Sequence, residues 1–182
     1  MPRKPRPAPP GTAPEVEAMI RVDHAGEYGA VRIYEGQLAV LGASNSPAAK
    51  AIRHMAKQEE RHLETFDKLI NERHVRPTAL EPVWRVAGFA LGAATALMGE
   101  KAAMACTAAV EDVIDEHYAK QVAQLGDSDP RLKETVEDFR AEEIQHRDAA
   151  LAHGAEQAPG YRLLSEAIKA GCRVAIRLSE KI

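Results

Sequence analysis

Cysteine, aromatic side chains and an excess of charge of either sign are all scarce in this chain of 182 residues. Its two cysteines, Cys106 and Cys172, stand far apart and belong to no CxxC pair. That excludes a disulfide framework and a thiolate zinc site, so both read as buried free thiols. A net charge of -3, with Lys and Arg dispersed along the chain, gives no support to nucleic acid as a partner. The apolar run at 86 to 98, "VAGFALGAATALM", has thirteen residues. A membrane-spanning helix needs about 20, so this run suits an interfacial or buried helix. No strand-like alternation appears, and no GxGxxG follows a strand, so the chain carries no dinucleotide fingerprint.

What is present is helix-forming stock: Ala, Glu, Leu, Arg and Lys dominate the central part. The first fourteen residues, "MPRKPRPAPPGTAP", hold six prolines. They are expected to form a disordered, mildly basic arm at 1–14, ahead of a single domain at 15–182. From Glu15 to Leu41 apolar residues recur at helical spacing until "GASNSP" interrupts them. There Gly42 suits a C-terminal cap, Ser46 an N-cap and Pro47 the first helical position. A second helix runs to about Arg73. After Pro82 an apolar segment, "VWRVAGFALGAATALMGEKAAMACTAAV", turns polar as "EDVIDEHYAKQVAQL" and reaches Gly126. Asp129 and Pro130 then start a helix to about His153, and a last helix is expected from about Pro159 to Lys181.

The stretches "QEERHLETF" and "AEEIQHRDA" each place a histidine three residues after a glutamate, Glu59 with His62 and Glu143 with His146. Residues three apart share a helix face, so each pair can offer a carboxylate and an imidazole to one ion. A solvated face is the plainer reading of either pair alone. If the first two helices fold back about the turn at 42 to 47, the residue facing Glu59 and His62 is Glu27. Reflection about the turn at 126 to 130 brings Glu111 to Glu143 and His146. Glu27 and Glu111, Glu59 and Glu143, and His62 and His146 are all separated by 84 residues. One helical hairpin is therefore written twice.

Four carboxylates in a bundle core require cations, because an unpaired buried charge costs several kcal/mol. Four glutamates and two neutral histidines match two divalent metals, and this donor set suits iron or manganese. The arrangement resembles the ferritin-like four-helix bundle with a metal pair. The expected fold is accordingly all-α: two repeated hairpins, plus two additional amphipathic or apolar helices. By analogy with such sites, Glu59 and Glu143 bridge. One ion takes Glu27, Glu59, His62 and Glu143, the other Glu59, Glu111, Glu143 and His146. His117 and Tyr118 are candidates for proton or electron transfer near the site, with core packing the alternative for Tyr118 and its counterpart Tyr34. Asp23, His24 and Asp115 could orient ligands or be surface charges, and His54, His74 and His153 read as solvated.

Three stretches, "RVDHAGEYGAVRIYEGQLAVLG", "GFALGAATALMGEKAAMACTAAVE" and "AGCRVAIRLSEKI", closely resemble the demethoxyubiquinone hydroxylase family, from about Met19 to the C-terminus. The resemblance implies a di-iron monooxygenase that hydroxylates the ring of a demethoxyubiquinol with O2. All six family ligand positions are filled, by Glu27, Glu59, His62, Glu111, Glu143 and His146. It also implies two iron ions, a polyprenyl quinol substrate, a membrane surface and other ubiquinone-biosynthesis proteins as partners. A peripheral location follows, on the cytoplasmic face of a bacterial inner membrane or, alternatively, the matrix face of a mitochondrial one. Reducing equivalents then come from the quinol, from NADH at an unmarked site or from a partner protein.

The final helix aligns Leu164, Ile168, Gly171, Ala175 and Leu178 on one stripe and Lys169, Arg173 and Arg177 on another. That pattern fits a helix lying on anionic lipid, or one that closes the bundle. The rival readings are an iron-oxidising storage protein of the ferritin or bacterioferritin kind, a rubrerythrin-like peroxidase, which would add a CxxC pair, and a lipid-binding module with a structural metal.

Overall fold

The computed structural model describes residues 13–182, so the expected arm lies outside the described residues apart from Ala13 and Pro14. Six α-helices follow: α1 Pro14–Leu41, α2 Pro47–Arg73, α3 Glu81–Leu97, α4 Glu100–Leu125, α5 Pro130–Ala152 and α6 Tyr161–Ser179, with a 3-10 turn at Ala155–Gln157. No strand occurs among the described residues.

The boundaries have local causes. Ser46 Oγ accepts the Ala49 N–H at 3.1 Å and Asp129 Oδ1 accepts the Leu132 N–H at 3.1 Å, each ahead of a proline at the first helical position. These caps satisfy donors that a helix start leaves orphaned. Gly42 is the C-cap of α1, as expected, and it serves in the right-handed conformation, at φ -62, with its N–H donating to Leu38 O. The turn is completed by Ser44 and Ser46, whose hydroxyls both donate to Glu100 Oε1 and so tie the first hairpin to the start of α4. His74, expected only to be solvated, is exposed and also ends α2 in the left-handed conformation, at φ 55. The apolar segment after Pro82 is cut between α3 and α4 by Gly99, at φ 112, where a side chain would be strained.

Helices α1, α2, α4 and α5 form the bundle, while α3 lies along α1 and α6 along α4. The α1–α3 crossing is close enough to need bare glycine. A Cβ at Gly92 would stand 1.9 Å from Ile33 O, and one at Gly36 2.2 Å from Phe89 O. Helix α4 runs through the middle, with every residue from Ala102 to Glu111 buried. An all-round apolar helix has no other stable place. Tyr34, Ile52, Met55, Met104 and small alanines fill one end of the bundle. Ile20, Phe66, Leu69, Leu132 and Phe139 fill the other. Between the two cores lies a polar layer.

Candidate metal centre

Glu27 on α1, Glu59 and His62 on α2, Glu111 on α4, and Glu143 and His146 on α5 all meet in that layer, each 2% exposed or less. They form two groups, Glu27, Glu59, His62, Glu143 and Glu59, Glu111, Glu143, His146, and in each the nearest donor atoms lie within 4.8 Å of one another. Glu59 and Glu143 belong to both. The groups coincide with the two ligand sets expected from the repeat.

Several contacts favour a metal pair over a purely hydrogen-bonded core. His62 Nδ1 lies 3.0 Å from Glu143 Oε1 and 3.5 Å from Glu27 Oε2, yet it is aligned for a hydrogen bond with neither. Glu27 Oε2 and Glu59 Oε1 are likewise buried without a hydrogen-bond partner. Orphaned buried atoms of this kind need an explanation, and a cation among them is the simplest. The donors are carboxylate and imidazole only, a set that fits iron or manganese.

With protons alone as counter-charge, titration in the cluster is strongly perturbed. Burial, followed by the Glu143 charge, pushes Glu59 and Glu111 well above the ordinary carboxylate range. Burial also acts to raise Glu143, but the imidazoles of His146 and His62 close beside it outweigh that and hold the carboxyl at about 2. For His62 burial lowers basicity, and Glu143 and Glu27 overcome it to reach about 11; His146 reaches about 9 through Glu143 and Glu59. The protein core thus gathers positive charge around these carboxylates in whatever form is available.

The two tyrosines are exchanged between hairpins. Tyr118 on α4 donates a short hydrogen bond to Glu27 on α1, and Tyr34 on α1 donates to Glu111 on α4 at 3.1 Å. Burial and then the neighbouring glutamate charge keep both phenols protonated, so both remain donors. His117 does not touch the cluster: its Nε2 lies 3.1 Å from Asp23 Oδ1, which also accepts from Gln121 Nε2 at 2.7 Å. Asp23 is therefore a buried support for His117, set back from the ligands. His24 pairs with Asp67 across α1 and α2, and Asp115 pairs with Arg140 and Arg147 across α4 and α5. His54 is exposed and His153 half-buried.

Four polar residues escaped the sequence reading: Gln37, Gln58, Gln121 and Glu142. Gln37 Nε2 donates to Ala103 O and Thr107 Oγ1. Gln58 lies 3.2 Å from His146 Nε2, and Glu142 lies 3.1 Å from His62 Nε2. The 84-residue offset could have found them, since it carries Gln37 onto Gln121 and Gln58 onto Glu142.

An apolar cavity of about 500 Å3 opens beside the cluster between α1, α3, α4 and α6, its walls including Gly26, Gly29, Leu91, Val110, Ile114 and Ile168. Gly26 and Val110 directly precede Glu27 and Glu111 in the sequence. Of the two thiols, Cys106 is fully buried, whereas Cys172, expected to be buried, is only half so because it lines this cavity. Burial pushes them to about 12 and about 11, so neither is an activated nucleophile.

The family model described as ubiquinone biosynthesis protein COQ7 matches residues 14–179. A Rhodospirillum rubrum protein named 3-demethoxyubiquinol 3-hydroxylase is 56% identical over 176 residues, covering 97% of this chain and 82% of its own. The human mitochondrial protein named NADPH-dependent 3-demethoxyubiquinone 3-hydroxylase is 52% identical, covering 92% and 78% respectively. The Saccharomyces cerevisiae mitochondrial 5-demethoxyubiquinone hydroxylase is 41% identical over 92% of this chain and 78% of its own. These relatives lend no support to an iron-storage role. With its paired metal-ligand groups, apolar cavity and near full-length match, the chain belongs to the COQ7 family of ubiquinone biosynthesis proteins.

Proposed function

We propose that this chain is a 3-demethoxyubiquinol 3-hydroxylase, which uses two iron ions and O2 to place a hydroxyl on the ring of a polyprenyl demethoxyubiquinol. The observation that carries this reading is the junction of two features: a buried double set of carboxylate and histidine donors, and an apolar cavity whose wall includes the neighbours of Glu27 and Glu111. Glu27, Glu59, His62 and Glu143 would hold one ion, and Glu59, Glu111, Glu143 and His146 the other. When bound, the iron pair supplies the electrons and open coordination positions that activation of O2 requires.

The remaining work falls to the protein. Tyr118 and Tyr34 fix the rotamers of Glu27 and Glu111 by donating to one oxygen of each, and at Glu27 the other oxygen, Oε2, is left facing His62 Nδ1 at 3.5 Å. Tyr118, hydrogen-bonded to Glu27, is assigned to proton and electron relay at the site. His117, held by Asp23 and Gln121 and partly open to solvent, connects that region to the surface. The cavity binds the prenyl tail and excludes water, at roughly 25 cal/mol per Å2 of apolar surface removed from solvent. Leu91 belongs to this path, whereas Leu97 is 76% exposed and lies outside the cavity wall.

No helix among the described residues is long and apolar enough to cross a membrane. Peripheral attachment is assigned to the exposed apolar side chains of the two helices that also wall the cavity, Val83, Val86 and Phe89 of α3 and Leu163 and Val174 of α6. The cytoplasmic face of a bacterial inner membrane is the assigned surface, the mitochondrial matrix face the alternative. Of the two readings of the basic stripe of α6, bundle closure is supported by Lys169 pairing with Asp112 at 2.7 Å and Arg173 with Glu116 at 3.4 Å. Those residues close the bundle. In liposome sedimentation, Val86→Asp with Leu163→Asp should reduce binding more than Arg173→Glu with Arg177→Glu; the opposite order would restore the electrostatic reading.

Turnover is the direct test of the reaction. Iron-loaded protein given demethoxyubiquinol, a reductant and isotopically labelled O2 should yield a ring-hydroxylated quinol carrying one labelled oxygen. Label recovered only in water or peroxide would exclude a hydroxylase.

A further inference from the structure

The ligand residues repeat faithfully at an interval of 84, but the residue just before each bridging glutamate does not: it is Gln58 in the first hairpin and Glu142 in the second. These two side chains cross the α2–α5 seam. Each histidine turns Nδ1 toward the carboxylates of the cluster, His62 to within 3.0 Å of Glu143 Oε1 and His146 to within 3.0 Å of Glu59 Oε1. The opposite nitrogen faces the partner helix. His62 Nε2 is 3.1 Å from Glu142 Oε2, and His146 Nε2 is 3.2 Å from Gln58 Oε1. Gln58 Nε2 in turn donates to Glu142 Oε2 at 3.0 Å, and Arg61 clamps the same carboxylate. Both histidines are thereby oriented with Nε2–H outward and Nδ1 toward the cluster, where a metal would take the place of the Nδ1 proton.

The two acceptors differ in charge. A carboxylate polarises the outer N–H of an imidazole more strongly than a neutral amide does, and so makes the inner nitrogen the better electron donor. Arg61 spreads part of the Glu142 charge, yet the acceptor remains anionic, and Gln58 has no such charge to offer. From this we propose that Glu142 and Gln58 make the two metal positions unequal, Glu142 strengthening the hold on the ion at Glu27, Glu59, His62 and Glu143. The proposal rests on the metal-pair reading above. Glu142 is a positioning residue here, because it acts through His62 and touches no substrate. Losing such a partner typically lowers metal affinity about 10–100-fold.

The test is an anaerobic titration of the metal-free full chain with Co(II) against a competing chelator, read by the visible absorption of the bound ion. Wild type should bind two ions in two steps, and Glu142→Gln should weaken the tighter step about 10–100-fold and leave the other in place. Exchanging the two residues, Gln58→Glu with Glu142→Gln, supplies the readout that a merely structural role would not move. It should restore two separate steps in reversed order. The order is established by adding Glu27→Ala, which removes a ligand from only one group: it should abolish the tighter step in wild type and the weaker one in the exchanged variant. Equal steps in wild type, parallel weakening of both steps in Glu142→Gln, or an unchanged order in the exchanged variant would each overturn the proposal and leave the metal pair standing. Failure of wild type to take up two ions would instead remove the metal-pair reading itself. If Glu142→Gln does not fold, the exchanged variant, which keeps one amide and one carboxylate at the seam, decides alone.

Discussion

Glu143 shows what a single residue can decide in this core. It is buried, shared by both ligand groups and within 3.0 Å of both imidazoles, at His62 Nδ1 through Oε1 and at His146 Nδ1 through Oε2. Removing it takes a donor from each group at once. Glu143→Ala is therefore expected to bind neither ion at stoichiometric concentration, whereas Glu27→Ala, altering one group, should retain one. Metal analysis after gel filtration checks this; two ions retained by Glu143→Ala would remove the bridging role. Neighbouring glycines illustrate a different constraint. A Cβ added at Gly29 meets nothing within 4 Å, because that position looks into the cavity. Since glycine costs a helix interior about 1 kcal/mol relative to alanine, open space is the compensating reason for it.

Among the elements, α3 depends most on the close approach of its backbone to α1. Gly92→Ala would drive a methyl group into Ile33 O, with no flexible side chain able to move aside. The expected loss is about 1–3 kcal/mol of stability, the usual cost of overpacking, measured as a lower urea midpoint with an unchanged slope. Gly171→Ala on α6 is the control: no atom lies within 4 Å of its Cβ position, so that change should cost nothing. Equal destabilisation by both would mean that crossing geometry is not what glycine serves in α3. Helix α6 is attached differently, through Lys169–Asp112, Arg173–Glu116 and the Trp84 indole N–H donating to Ser179 Oγ at 3.0 Å. These polar ties add to an apolar seam in which Ile168 is buried with Ile33, Cys106, Ala109 and Val110.

At the scale of the whole molecule the proposed function has the cavity and the cluster acting in series, the tail held by α1, α3, α4 and α6 and the ring brought toward the ligands. Leu91→Asp would set an unpaired charge in the apolar wall. Gly29→Leu would fill the same space without charge. Both variants should keep two ions and the wild-type helix content, lose about tenfold or more in kcat/KM for a long-tailed quinol, and hydroxylate a short-chain quinol at nearly the wild-type rate. Equal loss for both substrates, or for neither, would show that the tail takes another route.

The repeat, the turn residues and the six donors could all be read from the linear sequence, because helical spacing and hairpin reflection are local rules that need only a fixed rise per residue. The same spacing showed that Tyr118 and Tyr34 face inward. It could not show that each serves the glutamate of the other hairpin, since that depends on how the two hairpins dock. Nor could it separate the roles of glycines with identical helical surroundings: Gly92 is bare because another backbone touches it, Gly29 because nothing does. The pairing of Lys169 and Arg173 with acids of α4 was also beyond its reach, and so the stripe read equally as lipid-facing or as closing the bundle. By itself the sequence determined which residues could carry charge into a helical core and at what interval. Only the tertiary structure decided which of those charges meet, because hairpin docking is set by side-chain packing between elements distant in the chain, and no local periodicity encodes it.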